Sequence, residues 1–187
     1  MILASQEMIK HWTEKGAWGH KTFIDHFREN AAANPDKECL IDPLNKEALL
    51  GLKPERLTFR QLERAVDATA EGLAARGIEK DDIVIVQLPN CWELAMLYLA
   101  IARAGGLISP VPMQWRRKEL EYILKKTGAK AYITVREFNT FAHADMGVQL
   151  KSIEPSLERI ITLDEIREMS QGEITGRLDS VHVDPND

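Results

Sequence analysis

Between Leu57 and Val135 one unit recurs three times: an apolar helical stretch, a glycine, then a short apolar strand. The units run Leu62 to Arg76, Gly77 and Ile83 to Val86; Glu93 to Ala104, Gly105-Gly106 and Leu107 to Ser109; Glu119 to Thr127, Gly128 and Ala131 to Val135. A glycine just past a helix suits the left-handed C′ position, where a Cβ would be penalised. Each unit is half of a βαβ crossover, so the spacing predicts an α/β fold, doubly wound, with a largely parallel sheet flanked by helices.

The flanking segments are read the same way. Thr22 to Ala33 is predicted helical, with Phe23, Ile24, Phe27 and Ala31 on one face and Asn34-Pro35 as the stop. Cys39-Leu40-Ile41 is a short strand, and Asp42 to Glu55, with Pro43, Asn45, Gly51 and Pro54, a loop or hairpin connection. Thr58 and Gln61 fit a capping box ahead of one apolar stripe, Leu62, Ala65, Val66, Thr69, Ala70 and Leu73. Leu94 to Ile101 is apolar on every side and must be covered on more than one. Arg136 to Leu150 reads as a weaker helix broken near Gly147, Arg159 to Leu163 as a strand and Asp164 to Met169 as a short helix. The organisation expected is an N-terminal arm over 1–20, an α/β subdomain over 21–170, and an exposed connection over 171–187. The arm has little sustained period, and its Trp12 and Trp18 either pack on the body or mark a contact with another subunit or domain.

Composition excludes several classes. A net charge of −5 argues against a nucleic-acid partner. The longest nearly uncharged run, Leu94 to Ile101, falls far short of the ~20 residues a membrane span needs. Met1-Ile2-Leu3-Ala4 is too short for a signal peptide, so the cytoplasm is the expected location. Cys39 and Cys91 match no zinc or redox spacing, and Cys91 reads as a buried thiol.

No residue stands out as catalytic, cofactor-binding or metal-ligating. The strand Ile83 to Val86 is followed by Gln87-Leu88-Pro89-Asn90, from which no glycine cradle for a pyrophosphate can form. Gly72 and Gly77 have a Walker loop's glycine spacing, but Ile78 stands where its lysine belongs. His11, His20, His26, His143 and His182 form no i,i+4 pair and read as surface residues. Asp81-Asp82 and Glu119 with Glu121 read as solvated charge. Two features are less bland: Leu88-Pro89-Asn90 ends a strand at the carboxyl edge, where open α/β sheets bind ligands, though Asn90 can also cap the next helix, and Arg116-Arg117-Lys118, just before a helix, is a compact cationic cluster that suits a phosphate, an acidic surface or simple solvation.

The ordered series Leu57-Thr58-Phe59-Arg60-Gln61-Leu62, Leu73-Ala74-Ala75-Arg76-Gly77-Ile78, Val86-Gln87-Leu88-Pro89-Asn90, Ala104-Gly105-Gly106, Ser109-Pro110-Val111-Pro112 and Glu119-Leu120-Glu121-Tyr122-Ile123-Leu124 resembles the start of AMP-forming acyl-CoA synthetases, in the superfamily of adenylate-forming enzymes. The resemblance covers roughly residues 20 to 187, and since in relatives the segment after the third repeat's strand can lie near the CoA entrance, it implies Arg136 as a candidate there. It implies a two-step ligase using ATP, Mg2+ and CoA, which activates a carboxylic acid as acyl-adenylate and transfers it to CoA. The family's phosphate loop, ribose-binding acid and C-terminal lysine have no counterpart in this chain, which is expected to be an inactive N-terminal piece with none of these cofactors bound. His11-Trp12, Trp18-Gly19, Thr22 and Pro112-Met113-Gln114-Trp115-Arg116 resemble the branch acting on medium-chain, alicyclic or aromatic acids. Peptide-synthetase adenylation domains, luciferases and a non-enzymatic flavodoxin-like binding module stay open as alternatives, and so does a homodimer.

Overall fold

The computed structural model describes residues 2–186. In chain order it contains α1 (Gln6–Glu14), α2 (Phe23–Ala33), β1 (Glu38–Ile41), α3 (Lys46–Leu50), β2 (Arg56–Thr58), α4 (Phe59–Ala75), β3 (Ile83–Gln87), α5 (Trp92–Arg103), β4 (Leu107–Pro110), α6 (Arg117–Thr127), β5 (Ala131–Thr134), β6 (Glu137–Phe138), β7 (Phe141–Ala142), α7 (His143–Lys151), β8 (Arg159–Thr162) and α8 (Leu163–Ser170). The three predicted units are present with ends shifted by a few residues. Gly77, Gly105 and Gly128 all carry positive φ, as the helix-stop reading requires.

Four strands make one parallel sheet in the order β4-β3-β5-β8. Ile85 lies beside Tyr132, and Gln87 beside Thr134. The chain leaves β3 for one neighbour through α5, then crosses to the other through α6, so the order reverses between β3 and β5. Alternation sorts the strand side chains. Val84, Val86, Ala131, Ile133 and Ile161 join the core under α2, α4, α5 and α8, whereas Ile85 and Tyr132 face Leu120, Leu124, Met146 and Leu150 of α6 and α7. The sheet is therefore covered on both faces, as a doubly wound fold requires.

The Thr58 and Gln61 capping box forms as read, and Leu62, Ala65, Val66, Thr69, Ala70 and Leu73 are all buried. On α5, Met96, Leu97, Leu99, Ala100 and Ile101 are buried and only the Tyr98 side opens to solvent.

Several expectations need correction. The arm contains a helix, α1, capped by the Ser5 side chain, with none of its residues buried. The Asp42 to Glu55 connection holds the short helix α3, closed by Gly51 at φ 68°. Arg136 to Leu150 splits into a β6–β7 hairpin and an α7 that runs unbroken through Gly147. Gly147 is there for proximity, since a Cβ would meet Tyr132 Cδ1 at 2.9 Å and Ile160 Cγ2 at 3.1 Å. The segment after α8 is partly clamped: Arg64 donates to the carbonyls of Ser170, Gln171 and Gly172. Glu71 accepts from the backbone of Thr175 and Gly176, and Arg103 donates to the Leu178 carbonyl. Leu178 itself is buried.

Gly147→Ala is expected to lower stability by about 1–3 kcal/mol, despite alanine's better helix propensity, because the methyl must displace a buried tyrosine ring. Urea unfolding followed by tryptophan fluorescence checks this, and an unchanged or raised midpoint would contradict it.

Candidate functional site

The reversal between β3 and β5 places the crevice where doubly wound sheets bind ligands at the carboxyl ends of these two strands. Here protein fills it. Gln87, the last residue of β3, has no solvent exposure. Its amide nitrogen donates to the carbonyls of Pro112 (2.7 Å) and Trp115 (3.1 Å), in the loop between β4 and α6. Its side-chain oxygen accepts from the Tyr132 hydroxyl and lies 3.1 Å from His143 Nδ1. Thr134 donates to the Gln87 carbonyl at 3.1 Å. One amide thus joins two strands, one loop and the start of α7.

The oxygen of Gln87 can only accept, so His143 carries its proton on Nδ1. Its Nε2 is a buried acceptor lacking a partner among the described residues. Phe138 and Phe141 pack edgewise on the ring, and the Arg116 guanidinium lies 4.1 Å from the centre of Phe141. Burial, with Arg116 adding repulsion, lowers the His143 pKa to about 4. Burial likewise raises the Tyr132 phenol to about 12.

A second polar cluster sits where β3 leads into α5. Lys46 Nζ, with no exposed side-chain surface, lies 2.7 Å from Asp42 Oδ2 and 2.9 Å from Glu93 Oε2. Arg167 of α8 bonds to Glu93 and, at 2.9 Å, to Glu55. Both cations sit near the Trp92 ring, Lys46 at 5.7 Å and Arg167 at 5.9 Å. Asp42 Oδ1 accepts the Trp92 N–H at 2.8 Å, so an aspartate fifty residues upstream caps the helix. Burial would raise the Glu55 pKa, but hydrogen bonds from Arg167 and Trp92 outweigh it and hold it below the usual value.

The residues singled out from sequence are largely structural. Asn90 is exposed and precedes the N-cap, Cys91, so it does not cap α5. Arg116 is half-buried and donates to the carbonyls of Met113 and Trp115. Arg117 pairs with Glu121, and Arg136 with Asp164. Glu119 accepts the Arg116 N–H, and Asp82 pairs with Lys130. His11, His20, His26 and His182 are exposed as read, whereas His143 is fully buried, a correction. The Cys91 thiol is buried as expected, and burial followed by Glu93 raises its pKa to about 12.

A nucleotide triphosphate does not fit these residues. The N-terminus of α5, the natural anion site beside β3, is already occupied by the Asp42 carboxylate, and Gln87 and His143 fill the crevice next to it. Among the described residues no group of three or more metal-ligating side chains converges, and no helix is long and apolar enough to cross a membrane.

Lys46→Met should cost about 3–5 kcal/mol, because it leaves Asp42 buried without a counter-charge and Glu93 with Arg167 alone. Adding Glu93→Leu should recover part of the loss, a double-mutant cycle that urea unfolding can close. For His143 the folded pKa lies below the ordinary 6.5, so the unfolded chain binds the proton more tightly. Its contribution is complete above pH 6.5 and is lost as pH falls towards 4, on the order of 3 kcal/mol in all. Unfolding free energy should fall between pH 6.5 and 5 in the wild type and fall less in His143→Gln.

Comparison with known proteins places this architecture. The AMP-binding enzyme family matches residues 27–186. The medium-chain fatty-acid–CoA ligase of Escherichia coli (strain K12) is 29% identical over 155 residues, covering 83% of this chain and 26% of the ligase. The 2,3-dihydroxybenzoate–AMP ligase of Bacillus subtilis (strain 168) is 27% identical over 179 residues, 96% of this chain and 30% of that protein. The apo structure of Mycobacterium smegmatis MbtA superposes with a TM-score of 0.78 at 24% identity, covering 98% of this chain and 33% of that one, a likeness of fold. The chain thus spans about a quarter to a third of the length of these relatives. With the family match running through the whole parallel sheet, this chain belongs to the AMP-binding enzymes.

Proposed function

We propose that this chain is the N-terminal part of an ATP-dependent acid–CoA ligase, which joins a carboxylic acid to AMP and then passes the acyl group to CoA. The supporting observation is the match to a CoA ligase over 83% of this chain, against only 26% of that enzyme. On this reading residues 21–170 form a structural subdomain of the AMP-binding unit, 1–20 an arm, and 171–187 the connection to the nucleotide-binding half. ATP, Mg2+ and CoA bind outside this chain, which is inactive alone. The acids favoured are medium-chain, alicyclic or aromatic, and the location is the cytoplasm.

A second reading has one observation in its favour. The alignment with the aryl acid–AMP ligase extends over 179 residues, further than that with the CoA ligase. On that reading the adenylate is formed but free CoA is not the acceptor.

Pyrophosphate release by the longer polypeptide that begins with these residues, assayed over fatty, alicyclic, aromatic and amino acids, tests both. CoA-dependent loss of the free thiol is expected on the first reading. Adenylate formation with CoA left untouched would decide for the second, and no pyrophosphate release with any acid would sink both. Residues 1–187 alone should show no heat of binding to ATP with magnesium in calorimetric titration, and micromolar affinity would contradict the structural role.

A further inference from the structure

His143 is packed so that a second proton on its ring has no acceptor. Nδ1–H already donates to Gln87, and Nε2 is buried without a partner among the described residues. The ring belongs to the first residue of α7, at the positive end of that helix's dipole, where a cation is unfavourable. The groups around it give no relief. β3 offers the neutral Gln87 amide, β5 the Tyr132 phenol, whose proton goes to the same amide oxygen, and the loop before α6 the Arg116 guanidinium. Glu137 on the hairpin and Asp145 on α7 are exposed, and neither bonds to the ring.

The element that leads into the ring supports itself weakly. β6 and β7 have two residues each, too few for a ribbon that is stable by itself. Their turn holds Asn139 at φ 48° and Thr140 at φ 63°. Such a two-residue turn favours Asn-Gly, and a β-branched residue in the left-handed region is strained. The hairpin is held to α7 by Phe138 and Phe141 against the His143 ring and by a long bond, 3.3 Å, from the Ala144 N–H to the Arg136 carbonyl.

The sheet does not need this contact. Without His143, Gln87 still has Pro112, Trp115 and Tyr132 as partners, so none of its buried polar atoms is left unpaired. Further along α7, buried Met146 and Leu150 keep the helix on the sheet.

We propose that the β6–β7 hairpin and the first turn of α7, residues 137–145, form a pH-responsive latch over the carboxyl ends of β3 and β5. Uptake of a proton from solvent on His143 Nε2 releases this unit from Gln87, while the four-stranded sheet stays folded. Access to the crevice at the strand-order reversal is then set by pH. The sign follows from the ring: about 4 in the closed form and the ordinary 6.5 once open, it binds the proton more tightly when released. Opening is therefore promoted as pH falls below 6.5 and gains nothing from protons above it.

Amide hydrogen exchange read by NMR on this chain, corrected for intrinsic rates, tests the latch. Protection of the hairpin amides and of Ala144 should fall at least about tenfold from pH 7 to pH 5. In low urea this exchange should stay constant, whereas that of Val86 and Ile133 in the sheet should be slower and should accelerate, as global unfolding requires. His143→Gln keeps a donor for Gln87 and cannot titrate, so its hairpin protection should hold level over the same range. His143→Asn serves in its place if that variant does not fold. In the wild type, protection unchanged between pH 7 and pH 5, or a loss that follows urea as the strand amides do, would overturn the proposal, and so would an equal loss in either variant. Exchange is read without ATP, acid or CoA, so this result and the activity assays fail independently.

Discussion

The ammonium group of Lys46, with no exposed side-chain surface, is the point on which several elements meet. The first turn of α5 is buried, so its N–H groups and the positive end of its dipole need an anion. Asp42 supplies it by accepting the Trp92 N–H, and the other oxygen also accepts the Glu55 N–H at 2.9 Å. A buried carboxylate needs a counter-charge, which Lys46 provides from four residues further along the chain. Lys46 in turn reaches Glu93, which draws in Arg167 of α8. The short helix α3 therefore has its position set by charge balance as well as by apolar packing.

The same arrangement bears on what this sheet can do. Doubly wound sheets use the strand-order reversal because the helix after the first strand there presents free N–H groups to a ligand. In this chain the N–H of Trp92 faces Asp42, and the neighbouring gap is spanned by Gln87. Gln87 ties the loop before α6 to β3 and holds Tyr132 and His143 on its other end. The architecture of a binding domain is kept while its binding crevice is used for cohesion. That is the arrangement expected of a subdomain whose partner half holds the ligands.

The elements were legible from sequence because their signals are local. A stripe at 3.6-residue spacing, a glycine at C′ and a Thr58–Gln61 box each lie within a few residues, and each formed. The polar clusters were not legible, since their members meet only after folding: Asp42 with Trp92, Lys46 with Glu93, Gln87 with His143. The one local hint was Asp42 and Lys46 at i,i+4 spacing inside a segment otherwise rich in turn residues. Asn90 misled for a related reason. It has the right side chain for a cap, but the helix begins one residue later and its anion arrives from elsewhere. Gly147 misled because a glycine inside a helix signals either a break or a close approach, and only the Tyr132 ring distinguishes the two.

Charge and apolar surface are partly inverted in this molecule, and both halves of the inversion have one origin. Lys46, Glu93, Gln87 and His143 are fully buried, while Phe23, Ile41, Leu44, Met8 and Trp12 stand in solvent. Buried polar groups contribute little net stability compared with apolar ones of similar shape, but they tolerate few alternative arrangements. Exposed apolar groups give up burial free energy unless something covers them. A subdomain that carries its share of a larger fold gains from the first by holding its connecting loops in one conformation. On the proposed reading, it recovers the second where the rest of the polypeptide covers those outer faces.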